Sequence, residues 1–201
     1  LETAPDTFEL EPNAKSLFNG TDLTGWRYRP TTDQMRAARE RWIPKTNGEV
    51  VWPIVDEAVA FDGQTETPDG RYVAINGRLV VTTPAEGRKI QQLWTTENFD
   101  DDFELRLEFR ATPMADSGVF LRGKQLQCRD YRLAGPYKDL QQYREGDWNE
   151  LVVTVRGTTA HCTCNGEVIE KAFEIPETGP IGLEGDRGQI EYRRIRVSEV
   201  D

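Results

Sequence analysis

The sequence predicts an all-β sandwich, and three observations carry that expectation. The first is strict alternation in Phe103-Glu-Leu-Arg-Leu-Glu-Phe-Arg110. Phe103, Leu105, Leu107 and Phe109 point one way, and Glu104, Arg106, Glu108 and Arg110 the other, as in a strand with one buried and one polar face. The second is a pair of dipeptides, Asn76-Gly77 and Asn165-Gly166, each set between β-forming runs as a type I′ hairpin turn requires. The third is spacing: short strand-like runs recur about every ten residues with turn residues between them.

The elements follow in order. Arg78–Thr82 comes after the first Asn-Gly, and Trp148–Arg156 is a β-branched run. Thr159–Cys164 and Glu167–Phe173 flank the second Asn-Gly, and Gln189–Val197 lies near the end. In that last run the apolar positions shift phase, from Ile190 and Tyr192 to Ile195 and Val197, which predicts a bulge near Arg193 and Arg194. One stretch, residues 32–42, reads as a helix. Thr32 is its N-cap, Asp33-Gln-Met-Arg-Ala-Ala-Arg-Glu-Arg-Trp42 runs without Gly or Pro, and Pro44 ends it. From there to Gly70 the chain is irregular and long enough to serve as a functional loop or lid. No Pro/Gly-rich linker divides residues 1–201, so one domain is expected.

Composition narrows the function classes. The chain has 201 residues, 37% hydrophobic and 30% charged, which suits a domain with a real core. No run approaches the apolar length of a membrane-spanning helix. A net charge of −10 argues against nucleic acid, whose phosphates need clustered Lys and Arg. Of three cysteines, Cys162 and Cys164 share a strand face. Three buried thiols, or a pairing of one of these two with Cys128, are both open, but the count fits neither a disulfide framework nor a four-ligand zinc site. No metal and no cofactor is expected, because no His/Asp/Glu cluster has metal spacing and no Gly-rich loop links a strand to a helix. The chain opens on Leu1 and a loose acidic stretch to Glu11, which leads us to expect a secreted or periplasmic protein whose signal segment has been removed.

Seven fragments in order resemble the 3-keto-disaccharide hydrolase family of bacteria. They are Ser16-Leu-Phe-Asn-Gly-Thr-Asp-Leu-Thr-Gly-Trp26, Ala74-Ile-Asn-Gly-Arg-Leu-Val80, Leu93-Trp-Thr95 leading into Asp102–Arg110, and Ser117-Gly-Val-Phe-Leu-Arg122. Gly146-Asp-Trp-Asn149, the Asn165-Gly166 and Gly179-Pro-Ile-Gly-Leu183 pair, and Tyr192-Arg-Arg-Ile-Arg196 complete the set. The resemblance implies a concanavalin A-like jelly roll of two curved antiparallel sheets with a sugar groove on the concave face. It also implies an insert at about residues 29–71. Two departures stand out: Gln125 occupies a position where relatives tend to carry Glu, and Cys162 one where they often carry His. Glu184 and Asp186, in an acidic rim loop, occupy positions where relatives often carry Gln and Glu.

A 3-keto sugar has an acidified C2 proton, so one base and a group facing the enolate oxygen suffice for cleavage. The resemblance places the Phe103–Arg110 strand in the groove, which makes Glu108 the expected base, Arg122 its cationic partner on a neighbouring strand, and Asp130 a second acid. The plainer reading of that strand is a solvated face with cross-strand ion pairs. Gln125, Gln127, Glu104, Arg106, Glu184 and Asp186 are the expected sugar contacts, amides being suited to hydroxyls. Trp42 and Trp52 in the insert are candidate stacking platforms, whereas Trp26, Trp94 and Trp148 are assigned to the core. His161 reads as a surface histidine. The expected ligand is a carbohydrate, an oxidised disaccharide or glycoside. The expected activity is glycosidic cleavage; a carbohydrate-binding module without chemistry and a structural domain are the alternatives.

Overall fold

The computed structural model describes residues 6–42, 54–82 and 92–200. Its strands run β1 (Ala14–Ser16), β2 (Trp26–Tyr28), β3 (Val59–Ala60), β4 (Tyr72–Ile75), β5 (Arg78–Val81), β6 (Leu93–Thr95) and β7 (Phe103–Ala111). They continue as β8 (Asp116–Leu121), β9 (Lys124–Arg129), β10 (Asn149–Arg156), β11 (Thr159–Cys164), β12 (Glu167–Glu174), β13 (Gly182–Arg187) and β14 (Ile190–Glu199). The expected helix, α1, spans Asp33–Trp42, with the Met35 N–H donating to the Thr32 hydroxyl as an N-cap bond (3.2 Å).

These strands form a jelly-roll β-sandwich. An eight-stranded sheet has the order β12-β11-β10-β7-β14-β5-β4, with β1 also on β14, and a six-stranded sheet has the order β3-β2-β6-β13-β8-β9. Between them lies one apolar interior. Leu105, Leu107 and Phe109 of β7 and Leu151, Val153 and Val155 of β10 enter it from one side; Val119, Leu121, Leu126 and Leu183 enter from the other. Each such side chain contributes about 1.5–3 kcal/mol by leaving water. Two polar groups of the interior find backbone acceptors: Trp26 Nε1 donates to the Leu17 carbonyl (2.8 Å) and the Tyr72 hydroxyl to the Leu183 carbonyl (3.0 Å).

The local turn chemistry follows the sequence. Asn76 and Gly77 have φ of 50° and 74°, and Asn165 and Gly166 have φ of 48° and 83°, both as type I′ turns demand. The bulge in β14 falls between Arg193 and Arg196, with Arg194 at φ 54°. All three cysteines are free and buried, so no pairing with Cys128 forms.

One expectation fails. Strands β7 and β8 are consecutive, yet they are not neighbours: β7 pairs with β10 and β14 in the larger sheet, whereas β8 pairs with β13 and β9 in the smaller one. A tight turn closed by the Ala115 N–H on the Thr112 carbonyl (2.9 Å), with Met114 at φ 65°, carries the chain from one sheet to the other. Glu108 and Arg122 therefore belong to different sheets and make no pair.

Arg122 has a different task. It sits in the β8–β9 hairpin turn at φ 50°, 3% exposed, and among the described residues its guanidinium donates only to backbone carbonyls. Nε reaches Phe99 (2.6 Å), Nη2 reaches Asp100 (3.0 Å) and Asp101 (2.7 Å), and Nη1 reaches Gly157 (2.7 Å) and Pro176 (3.2 Å). Three loops from both sheets are thereby tied together at one end of the sandwich. Gly179 packs against this turn, and a Cβ there would lie 2.7 Å from the Arg122 carbonyl oxygen. Replacing Arg122 by Met should leave these carbonyls without a donor and lower stability by about 3–5 kcal/mol, read from urea denaturation. Lys should restore only part of the loss, because an ammonium cannot fork to five acceptors.

Candidate active site

Alternation turns one set of side chains on the six-stranded sheet away from the core. In register, Arg27 on β2 stands beside Trp94 on β6, and Trp94 beside Gly182 on β13. Gly182 stands beside Phe120 on β8, and Phe120 beside Gln125 on β9. The next row holds Glu184, Gly118 and Gln127, and beyond it Asp116 pairs with Arg129. The two glycines shape this face. A Cβ on Gly182 would lie 2.6 Å from the Trp94 indole, and one on Gly118 would lie 2.6 Å from Gln125 Nε2. With no side chain at either position, Trp94 and Gln125 lie flat across the sheet. Trp94 meets Phe120 edge-on, centroids 5.1 Å apart.

Glu184 is the centre of the arrangement. It is only 6% exposed, and both of its oxygens are held by amides: Gln92 Nε2 donates to Oε1 (3.0 Å) and Gln125 Nε2 donates to Oε2 (2.5 Å). Burial pushes its carboxyl up to about 7. The Gln92 hydrogen bond opposes that rise, the carboxylates of Asp186 and Asp116 add to it, and the cation of Arg71 opposes it. Asp116 is in turn bridged by Arg129 (3.0 Å) and Arg187 (3.8 Å). Across Gly118 from Glu184, Gln127 keeps a buried Oε1 with no hydrogen-bond partner among the described residues. A carboxylate poised near neutrality beside amides that donate and accept can take up or release a proton and hold hydroxyl groups.

Several expected site residues are thus brought together, and others are not. Gln125, Gln127, Glu184 and Asp186 share this sheet. Glu184 and Asp186 lie on β13 inside the sheet, not in a rim loop, because β13 pairs with both β6 and β8. Glu104, Arg106 and Glu108 lie on the outer face of the other sheet, where their charges are taken up by ion pairs. Arg106 bridges Glu104 (2.6 Å) and Glu150 (3.5 Å), and Glu108 bridges Arg193 and Arg194 (both 2.7 Å). Asp130, 1% exposed, accepts from the Met114 N–H (2.9 Å) and the Tyr143 hydroxyl (3.3 Å), and so braces the sheet-crossing turn. Trp42 ends α1, and Trp52 lies outside the described residues. Of the tryptophans assigned to the core, only Trp26 is there. Trp94 lies on the site face, and Trp148 lies against the guanidinium groups of Arg193 and Arg110, 4.0 and 4.7 Å from its centroid. His161 is exposed, as expected.

Reading of the residues alone missed Gln92, Asp116, Phe120 and the place of Trp94. The available signal was alternation in Asp116-Ser-Gly-Val-Phe-Leu121, where Val119 and Leu121 are core positions and Asp116, Gly118 and Phe120 face outward. Among the described residues, no group of three or more His, Cys, Asp or Glu side chains is arranged to hold a metal ion.

The raised Glu184 carboxyl has a consequence for stability. Between about pH 4.5, its ordinary value, and about 7, the folded chain binds a proton that the unfolded chain has released, so stability falls as pH rises through this window. The full effect above pH 7 is on the order of 3 kcal/mol. Glu184→Gln should remove that pH-dependent loss, so the variant gains on the wild type between denaturation curves at pH 5 and pH 8. An unchanged difference at the two pH values would contradict the assignment.

Comparison with known proteins agrees with this architecture. Residues 13–198 match the 3-keto-alpha-glucoside-1,2-lyase-like domain family. A candidate glycosyl hydrolase from Parabacteroides distasonis superposes with a TM-score of 0.59 at 13% identity, covering 94% of each chain. A second such protein from the same organism gives a TM-score of 0.54 at 18% identity, covering 67% of this chain and 92% of its own. At these identities the likeness is one of fold. No curated protein matches the sequence. The family match takes in nearly every strand of the sandwich, from β1 to β14, and this chain belongs to the 3-keto-alpha-glucoside-1,2-lyase-like domain family.

Proposed function

We propose that the outer face of the six-stranded sheet binds a 3-keto glycoside and that Glu184, not Glu108, is the base that starts its cleavage. The observation that carries this reading is the placement of Glu184: a buried carboxylate, near neutrality in its proton affinity, with each oxygen fixed by an amide. A surface acid lacks the desolvation that raises basicity, and the acids of the other sheet are held by arginines.

The reaction follows from the chemistry of the ketone. Ionised Glu184 takes the proton from C2, and the C–H electron pair forms the C2=C3 enolate with charge on the C3 oxygen. Gln127 stands across Gly118 from Glu184, and its amide N–H is the donor assigned to that oxygen. The enolate collapses back to the ketone, a C1=C2 double bond forms, and the C1–O bond breaks with its electron pair on the leaving oxygen. The proton held by Glu184 goes to that oxygen. Later addition of water across C1=C2 completes hydrolysis. Trp94 and Phe120 supply an apolar margin for the sugar's C–H face.

A carbohydrate-binding module is the second reading, and it draws on one observation: both oxygens of Glu184 are already occupied by amides. Turnover separates the two. With 3-keto-trehalose or a 3-keto-α-glucoside, kcat/KM should rise with pH to a plateau above about 7. Glu184→Gln should lose on the order of 10²–10⁴-fold, the usual worth of a positioned base, and Glu108→Gln should keep its activity. Loss of turnover in Glu108→Gln with retention in Glu184→Gln would return the base to β7. Binding without turnover would leave a sugar-binding module.

A further inference from the structure

We infer that Arg27 and Arg29 form an anion-binding subsite on the same face, so that the glycoside it takes carries an oxyanion group on its leaving portion. The inference rests on the reading of this face as the sugar site.

Strand alternation sets both arginines outward, since Trp26 and Tyr28 between and beside them are core residues. Arg27 is in register with Trp94, and the Arg29 guanidinium carbon stands 5.1 Å from the centroid of the same indole. One cation thus lies over the indole, and the other stands on the strand beside it. Neither has an ion-pair partner among the described residues, and Arg27 Nε is buried without a hydrogen-bond acceptor. Most outward arginines of the larger sheet, by contrast, are ion-paired. Arg78 and Arg110 share Glu191 (3.2 and 2.6 Å), Arg129 has Asp116 (3.0 Å), Arg193 and Arg194 have Glu108 (2.7 Å each), and Arg196 has Glu11 (2.7 Å).

In a sequence with 35 acidic and 25 basic residues, two neighbouring arginines with no carboxylate partner among the described residues offer positive charge that an external oxyanion fits. A guanidinium stacked on an aromatic ring is held in place, and its planar fork matches carboxylate and phosphate oxygens.

The spacing puts the charge outside the ring that stands over Glu184. Arg27 is two strands from Glu184, about 10 Å, and one two-residue step along the strand, about 7 Å. That separation leaves room for a sugar ring over Glu184 and places the anion on a substituent of that ring, in this proposal the one on C1.

The test uses glucosides that are not oxidised at C3 and so are not cleaved by elimination. Calorimetry would compare phenyl, 4-carboxyphenyl and 4-phosphophenyl α-glucoside on the wild-type chain and on Arg27→Gln, Arg29→Gln and Arg27→Lys, each first checked by circular dichroism. The anionic glucosides should bind on the order of tenfold tighter than the neutral one, with the advantage shrinking as salt rises. The two Gln variants should lose the advantage, and Arg27→Lys should keep part of it. Relative affinity of the carboxylate and the phosphate identifies the preferred oxyanion. Equal binding of all three probes, no binding of any, or an advantage indifferent to both Gln variants would overturn the subsite. Selectivity that persists in a chain with no turnover of 3-keto glycosides would sink only the catalytic reading. Turnover without selectivity would sink only the subsite.

Discussion

The two sheets bury their inner faces against each other, and that single apolar interior governs where polar chemistry can stand. A strand contributes every second side chain to the core, so its charged residues go to an outer face or into a loop. On the larger sheet the outer residues are long and oppositely charged, and they neutralise one another: Arg78 and Arg110 on Glu191, Arg193 and Arg194 on Glu108. The N-terminal arm joins that network through Asp6 on Arg194 and Glu11 on Arg196, with Phe8 against both guanidinium groups. On the smaller sheet two outer positions are glycines, and their missing side chains let Trp94 and Gln125 fold over the surface toward Glu184. Desolvation of that carboxylate is the result.

The ends of the sandwich depend on backbone groups more than on charge pairs. Arg122 collects carbonyls from three loops, and Asp130 ties the turn between β7 and β8 to Tyr143. Both residues are buried and polar, and both are fully occupied by this work, so a catalytic assignment has no geometry to stand on. Glu184 is occupied as well, but by two side-chain amides on an outer sheet face, and the proposal rests on that placement.

Much of the fold is legible in the chain because its signals are local. The alternation of Phe103–Arg110, the two Asn-Gly turns, the phase shift in Tyr192–Val197 and the Thr32 cap each act within a few residues. The sheet to which a strand belongs is not local. Nothing within Phe103–Ala111 or Asp116–Leu121 says that they part company, since β7 is fixed by pairing with β10 and β14 far along the sequence. That Glu184, an expected sugar contact, lies within a strand and not in a loop is illegible for a related reason. Gly182-Leu-Glu-Gly-Asp-Arg187 carries two glycines and three charges, which reads as a loop until β6 and β8 are seen on either side of it. The resemblance supplied one clue. Relatives tend to carry an acid at position 125 and often an amide at 184. Here the two are exchanged, and their side chains are hydrogen-bonded, so the contact still holds one carboxylate and one amide.

The account turns on the proton affinity of Glu184, and that quantity can be read directly. Carbon-13 labelling of glutamate side-chain carboxyls, with Glu184→Gln to assign the resonance, gives its titration curve by NMR. A midpoint near 7 is the result this structure requires. A midpoint in the ordinary range near 4.5 would mean that water reaches the carboxylate freely, and the site on the six-stranded sheet would lose its base.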